Sequence, residues 1–126
     1  MPMGQPVVHF EIIGTDPQRL RDYYGELFGW QFDLGGDAAE AVSAPGNYGF
    51  VQPGGGIPGG VGGGAGYSPR TVFYVGVPDV EAALQQAESL GGTRVSGPHD
   101  NPGGTLTVGF FTDPGGHLIG LAAAAA

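Results

Sequence analysis

The chain has 126 residues, the size of one ordinary domain, and 40% of them are apolar, enough to build a core. Twelve acidic residues against four arginines and no lysine give a net charge of -8, which argues against nucleic acid, whose binding rests on phosphate neutralisation. With no cysteine, neither disulfides nor thiolate metal sites can form. No apolar run reaches membrane-helix length, and "MPMGQP" lacks the basic and apolar regions of a signal peptide, so a soluble cytoplasmic protein with no membrane partner is expected.

The first element is "VVHFEIIG", residues 7–14, which reads as a strand. Side chains two apart on a strand share a face, so Val7, His9, Glu11 and Ile13 lie together, and Val8, Phe10 and Ile12 lie on the other side. "TDPQRLRDYYGELFG" follows with helical spacing at Leu20, Tyr23 or Tyr24, Leu27 and Phe28. Asp16 suits an N-cap, Pro17 the first turn and Gly29 the stop. "WQFDL" and "SAPGNYGFV" then read as strands with a Pro-Gly turn, and Trp30 as a core anchor.

Residues 53–69, "PGGGIPGGVGGGAGYSP", are too rich in glycine for cheap regular structure, and read as a linker or as a mobile loop over a pocket. They are no phosphate loop, lacking the Lys-Ser/Thr ending and a following helix. A second strand follows from residue 71, then "VPDVEAALQQAESLG", with Asp79 as cap, a stripe of Val80, Ala83, Leu84, Ala87 and Leu90, and Gly91 as stop. "GTRVS", the turn-rich "GPHDNPGG" and the hairpin around "TDPGGHLIG" complete the chain.

The order therefore repeats. Each half is a strand, a helix and about three further strands, giving an α+β fold of two tandem βαβββ modules, about 7–52 and 70–122, joined by the glycine-rich loop 53–69. One half alone would be marginal as a domain. Two halves can form one curved mixed sheet around a cavity, with the helices outside and His9 and Glu11 facing in.

Three passages, "VVHFEIIGTDPQRLRDYYGELFGWQF", "FYVGVPDVEAALQQAESLGG" and "FFTDPGGHLIGL", resemble the vicinal oxygen chelate superfamily, which holds glyoxalases, extradiol dioxygenases and bleomycin-resistance proteins. The resemblance implies a homodimer, and in metal-dependent members one divalent ion held by side chains from the first and last strands of both modules. On this chain it assigns those positions to His9, Val51, Thr71 or Val72, and Gly120. A divalent ion wants imidazole nitrogen or carboxylate oxygen, so only His9 retains a family ligand. A slip from Val51 to Gln52 adds a weak donor and no base. No cofactor is expected.

His9 and Glu11 then read as polar groups orienting a small molecule in an apolar cavity, as a general base in which Glu11 holds the His9 ring, as part of a rearranged metal site, or as a mutually satisfied pair without function. Phe111 is expected on the same cavity face, with Phe111 opposing Leu118 and Gly109 opposing Gly120, or else in ordinary core packing. His99 is expected in a solvated loop and His117 at a strand start or in a turn, facing away from the cavity. The expected role is binding of a small organic molecule without the family's metal centre. The alternative is a glyoxalase-like lyase or isomerase, or a dioxygenase-type enzyme, using a rearranged metal site or a His9/Glu11 base.

Overall fold

A computed structural model describes residues 4–124. The chain divides into two compact units, one from His9 to Thr71 and the other from Val72 onward together with the residues before His9.

The His9–Thr71 unit holds β1 (Val7–Gly14, its first two residues lying in the other unit), α1 (Pro17–Phe28), β2 (Phe32–Asp33), β3 (Gly49–Val51) and β4 (Gly59–Gly63). Its strands lie in the order β2-β3-β4-β1; β1 runs parallel to β4 and the remaining pairs are antiparallel. The Asp16 carboxylate accepts from the Arg19 N–H at 3.2 Å, and Pro17 occupies the first turn, where no N–H is needed. Gly29 ends the helix at φ 72°, a left-handed conformation that costs glycine little. Beside α1 the Phe10 ring meets Trp30 at 5.1 Å, and Trp30 meets Phe28 at 5.1 Å, so Trp30 is the packing anchor its sequence position implies.

The glycine-rich segment departs from expectation. Residues 59–63 are neither linker nor mobile loop but β4, an inner strand whose five residues are all buried. It pairs from Phe10↔Gly59 to Gly14↔Gly63 with β1, and from Gly49↔Val61 to Val51↔Gly59 with β3. The cause is space. A Cβ at Gly59 would lie 2.2 Å from the Phe10 ring, one at Gly60 2.0 Å from the Tyr48 ring, and one at Gly62 2.7 Å from Tyr48 and 2.8 Å from the Ser43 hydroxyl. Large side chains from neighbouring segments lie across this strand, and only glycine admits them. Glycine weakens a strand through backbone entropy, but here that cost is outweighed by ladder bonds on both sides and by the rings packed on top.

The other unit holds β5 (Arg70–Gly76, its first two residues lying in the His9–Thr71 unit), α2 (Val80–Ser89), β6 (Thr93–Asp100), β7 (Leu106–Thr112) and β8 (Leu118–Ala124). The order is β5-β8-β7-β6, with β5 parallel to β8 and the two hairpin pairs antiparallel. Both units thus show the βαβββ order, and the fold is α+β. Asp79 caps α2 through the Ala82 N–H at 3.1 Å. The helix buries Val80 and Leu84 against Leu121 and Ala123, and Val75, Val77, Ala83 and Phe111 pack around them. Arg94 on β6 forks onto the Glu81 carboxylate at 2.6 and 2.8 Å and reaches Glu88 at 3.2 Å, tying strand to helix.

The β7–β8 register differs from the sequence expectation by one residue. Phe111 opposes Ile119, not Leu118, and Gly109 opposes Leu121, not Gly120. A one-residue slip exchanges the faces of every side chain. Phe111 therefore lies among the residues packed against α2, and Phe110, only 1% exposed, takes the opposite face, where its ring meets Tyr74 edge-on at 5.6 Å. The longer turn sets this register: the Asp113 N–H bonds to the His117 carbonyl at 3.0 Å, so three residues, Pro114, Gly115 and Gly116, lie between the bonded pair rather than two.

Candidate functional site

Alternation along β1 does what its sequence implies. Phe10 points to the α1 side, against Trp30, and His9 and Glu11 point the other way. What meets them there is Tyr48, which sequence reasoning did not single out. Tyr48 follows a tight turn, with the Asn47 N–H on the Ala44 carbonyl at 3.2 Å, and that turn is tethered from two sides. Arg21 of α1 donates to the Asn47 carbonyl at 2.6 Å, and the Asn47 amide donates to the Gly63 carbonyl at 3.2 Å. The Tyr48 ring then runs over Gly60 and Gly62 of β4 and brings its hydroxyl to β1.

The Tyr48 hydroxyl donates to Glu11 Oε1 at 3.0 Å and lies 2.8 Å from His9 Nε2. The Arg70 guanidinium approaches Glu11 Oε2 at 3.5 Å. Arg70, Glu11, Tyr48 and His9 thus form one chain of polar contacts within a single unit. Glu11 is 1% exposed and Tyr48 2%, so the middle of the chain is dry, while His9 and Arg70 are half-buried. A buried carboxylate needs a counter-charge and hydrogen-bond donors, and Arg70 and Tyr48 supply them. The His9 ring is flanked by Tyr48, stacked at 6.3 Å, and by Phe50, edge-on at 6.4 Å. His9 and Glu11 are therefore linked through a phenol rather than held directly as a pair.

Burial among these rings lowers the His9 pKa from 6.5 to about 4, because a charged imidazolium is poorly solvated there. The ring is neutral at pH 7. A proton that binds more tightly to the unfolded chain makes stability rise with pH between the two values. The contribution is fully present above pH 6.5 and is lost as pH falls through about 4. At pH 4 the shift is worth roughly 3 kcal/mol. Urea titrations at pH 7 and pH 4 should show the wild type losing about that much more than His9→Gln; equal losses would contradict a neutral, buried His9.

The donors needed for the family's divalent ion can now be checked by position. The last strand of the first βαβββ unit is β4, not β3, so the position assigned to Val51 passes to Gly60, which opposes Glu11. Gly60 has no side chain, and neither does Gly120 on β8, which opposes Tyr74. Val72 is buried and apolar. Among the described residues no three His, Cys, Asp or Glu side chains come together as a metal-holding group. On β1 the Tyr48 hydroxyl sits between the two donors and Arg70 already brings positive charge to Glu11, so these residues do not fit a divalent ion.

The remaining candidates lie elsewhere. Phe111 packs with the α2 core and does not share a face with Phe110. His99 is within β6, opposite Val108, not in a loop, and its Nε2 is buried without a hydrogen-bond partner. His117 is exposed and holds a turn with Asp113 at 3.1 Å. Tyr48 and Arg70 could have been found from the sequence by asking what large groups the glycines of 59–63 make room for, and what cation balances a buried Glu11.

A repeated βαβββ order with a polar cluster on the first strand defines a class of fold, and the family comparison agrees with it. The model of the Glyoxalase/Bleomycin resistance protein/Dioxygenase superfamily matches residues 7–121, and the chain belongs to that superfamily. No curated protein matches its sequence. Similar solved structures include the methylmalonyl-CoA epimerase of Mycobacterium tuberculosis, at 16% identity and TM-score 0.70, covering 100% of this chain and 94% of that one. A Streptomyces coelicolor methylmalonyl-CoA epimerase in complex with 2-nitronate-propionyl-CoA aligns at 16% identity and TM-score 0.68, covering 97% and 99%. A hypothetical protein from Bacillus halodurans C-125 aligns at 14% identity and TM-score 0.70, covering 96% and 95%. Identities this low speak for the fold alone.

Proposed function

We propose that this protein binds a small organic molecule on the sheet face that carries His9, Tyr48 and Phe50, without the family's metal centre. The observation that carries this is the Arg70–Glu11–Tyr48–His9 chain. A buried carboxylate, a phenol and a neutral imidazole set among aromatic rings form the kind of site in which a few fixed polar groups orient a ligand within apolar walls. Glu11 and His9 are the ligand-orienting residues, and Tyr48 joins them. Phe111 has no part in this site, because its ring packs against α2. A homodimer in the cytoplasm is the assembly and location that go with this role.

A second role is metal-free proton transfer with His9 as base: burial keeps the ring neutral near pH 7, in the form that can accept a proton, while making it a weak base. The similar structures named as methylmalonyl-CoA epimerases make an acyl thioester a sensible first substrate to try.

A melting screen against a metabolite library separates these roles. A ligand at one hundred times its Kd stabilises by about 2.7 kcal/mol, a shift of roughly 10 °C for a chain of this size. The shift should vanish in His9→Ala. Turnover that disappears with His9 while binding persists supports the enzyme; no response to any compound, or equal melting shifts in wild type and His9→Ala with no His9-dependent turnover, contradicts both.

A further inference from the structure

Tyr48 has one hydroxyl proton, and two side chains of β1 lie within bonding distance of its oxygen. Its oxygen lies 3.0 Å from Glu11 Oε1 and 2.8 Å from His9 Nε2, and the proton can go to only one of them. Glu11 is 1% exposed with the Arg70 guanidinium 3.5 Å from its other oxygen, an arrangement that suits a carboxylate, which only accepts. The Tyr48 proton therefore goes to Glu11, and the contact to His9 must be made by a proton on Nε2. We propose that Tyr48 is the positioning residue of this site: it relays the Glu11 charge to His9, holds the ring as the Nε2–H tautomer and leaves Nδ1 as its acceptor nitrogen. Any group that meets Nδ1, whether of the protein or of a ligand, must bring its own proton: a hydroxyl or an N–H rather than a bare anion.

The geometry supports positioning over simple packing. The Tyr48 ring could fill the space over Gly60 without its hydroxyl, yet the hydroxyl is placed within bonding distance of both β1 side chains. The Asn47 turn that delivers it is fixed by Arg21 and by the Gly63 carbonyl. The consequence for a ligand rests on the binding role proposed above; the tautomer does not, and it is measured on the protein alone.

Long-range proton–nitrogen NMR on histidine-labelled protein at neutral pH reports each ring's tautomer directly. His9, assigned by its loss in His9→Gln, should show a single Nε2–H form. Tyr48→Phe keeps the ring and removes the relay, and His9 should then show a mixture of both tautomers. A wild-type His9 carrying its proton on Nδ1, or on both nitrogens, overturns the proposal, and so does an unchanged tautomer in Tyr48→Phe. The wild-type spectrum alone can overturn it, so the test survives a failure of Tyr48→Phe to fold. A single Nε2–H form with no hit in the melting screen would leave the relay standing and count against the binding role.

Discussion

Gly60→Ala is expected to lose about 3 kcal/mol of stability, the upper end of the usual cost of overpacking. The added methyl would start 2.0 Å from the Tyr48 ring, far inside contact distance. Tyr48 cannot easily give way, since its hydroxyl is bonded on β1 and the turn before it is tethered. The strand cannot give way either, because β4 is laddered to β1 and β3. Gly54→Ala, in the same glycine-rich segment but with open space around its Cβ, should change stability by less than about 0.5 kcal/mol. Urea denaturation of the two variants checks this; equal midpoints would show that β4 is not packed beneath Tyr48.

Glu11→Ala should cost about as much, roughly 3 kcal/mol, for a different reason. Removing one member of a buried ion pair leaves the other without its counter-charge, and it also strips the Tyr48 hydroxyl of its acceptor. Glu11→Gln keeps an acceptor of the same shape and should cost less than half as much. Denaturation curves at pH 7 separate the two effects. If Glu11→Ala unfolds within about 0.5 kcal/mol of the wild type, the polar chain is not coupled to folding.

The residues made much of this fold readable. The caps at Asp16 and Asp79 and the alternation of β1 depend on short-range chemistry, and each took the expected form; the helical stripes did so only in part, since Val80 and Leu84 are buried while Tyr23, Leu27, Phe28 and Leu90 are exposed. What failed was information held between distant segments. The five residues of β4 look structureless in isolation, because the side chains that occupy their faces belong to Phe10, Tyr48 and Ser43. Phe111 was assigned to the wrong face by a one-residue error in turn length, which alternation then carried along the whole strand. At the site, His9 and Glu11 were visible because polar residues on an apolar strand stand out. Tyr48 and Arg70 were not, since nothing local distinguishes a tyrosine or arginine that reaches 37 or 59 residues along the chain to Glu11.

Elemental analysis of purified protein, grown and loaded with Mn²⁺, Fe²⁺, Ni²⁺ and Zn²⁺ in turn, confronts the central proposal: on this chain a phenol bridge and an arginine engage His9 and Glu11, where the sequence resemblance implies donors for an ion. Metal should remain well below one equivalent per chain and be the same in wild type and His9→Ala. One tightly held equivalent that disappears with His9 would contradict it.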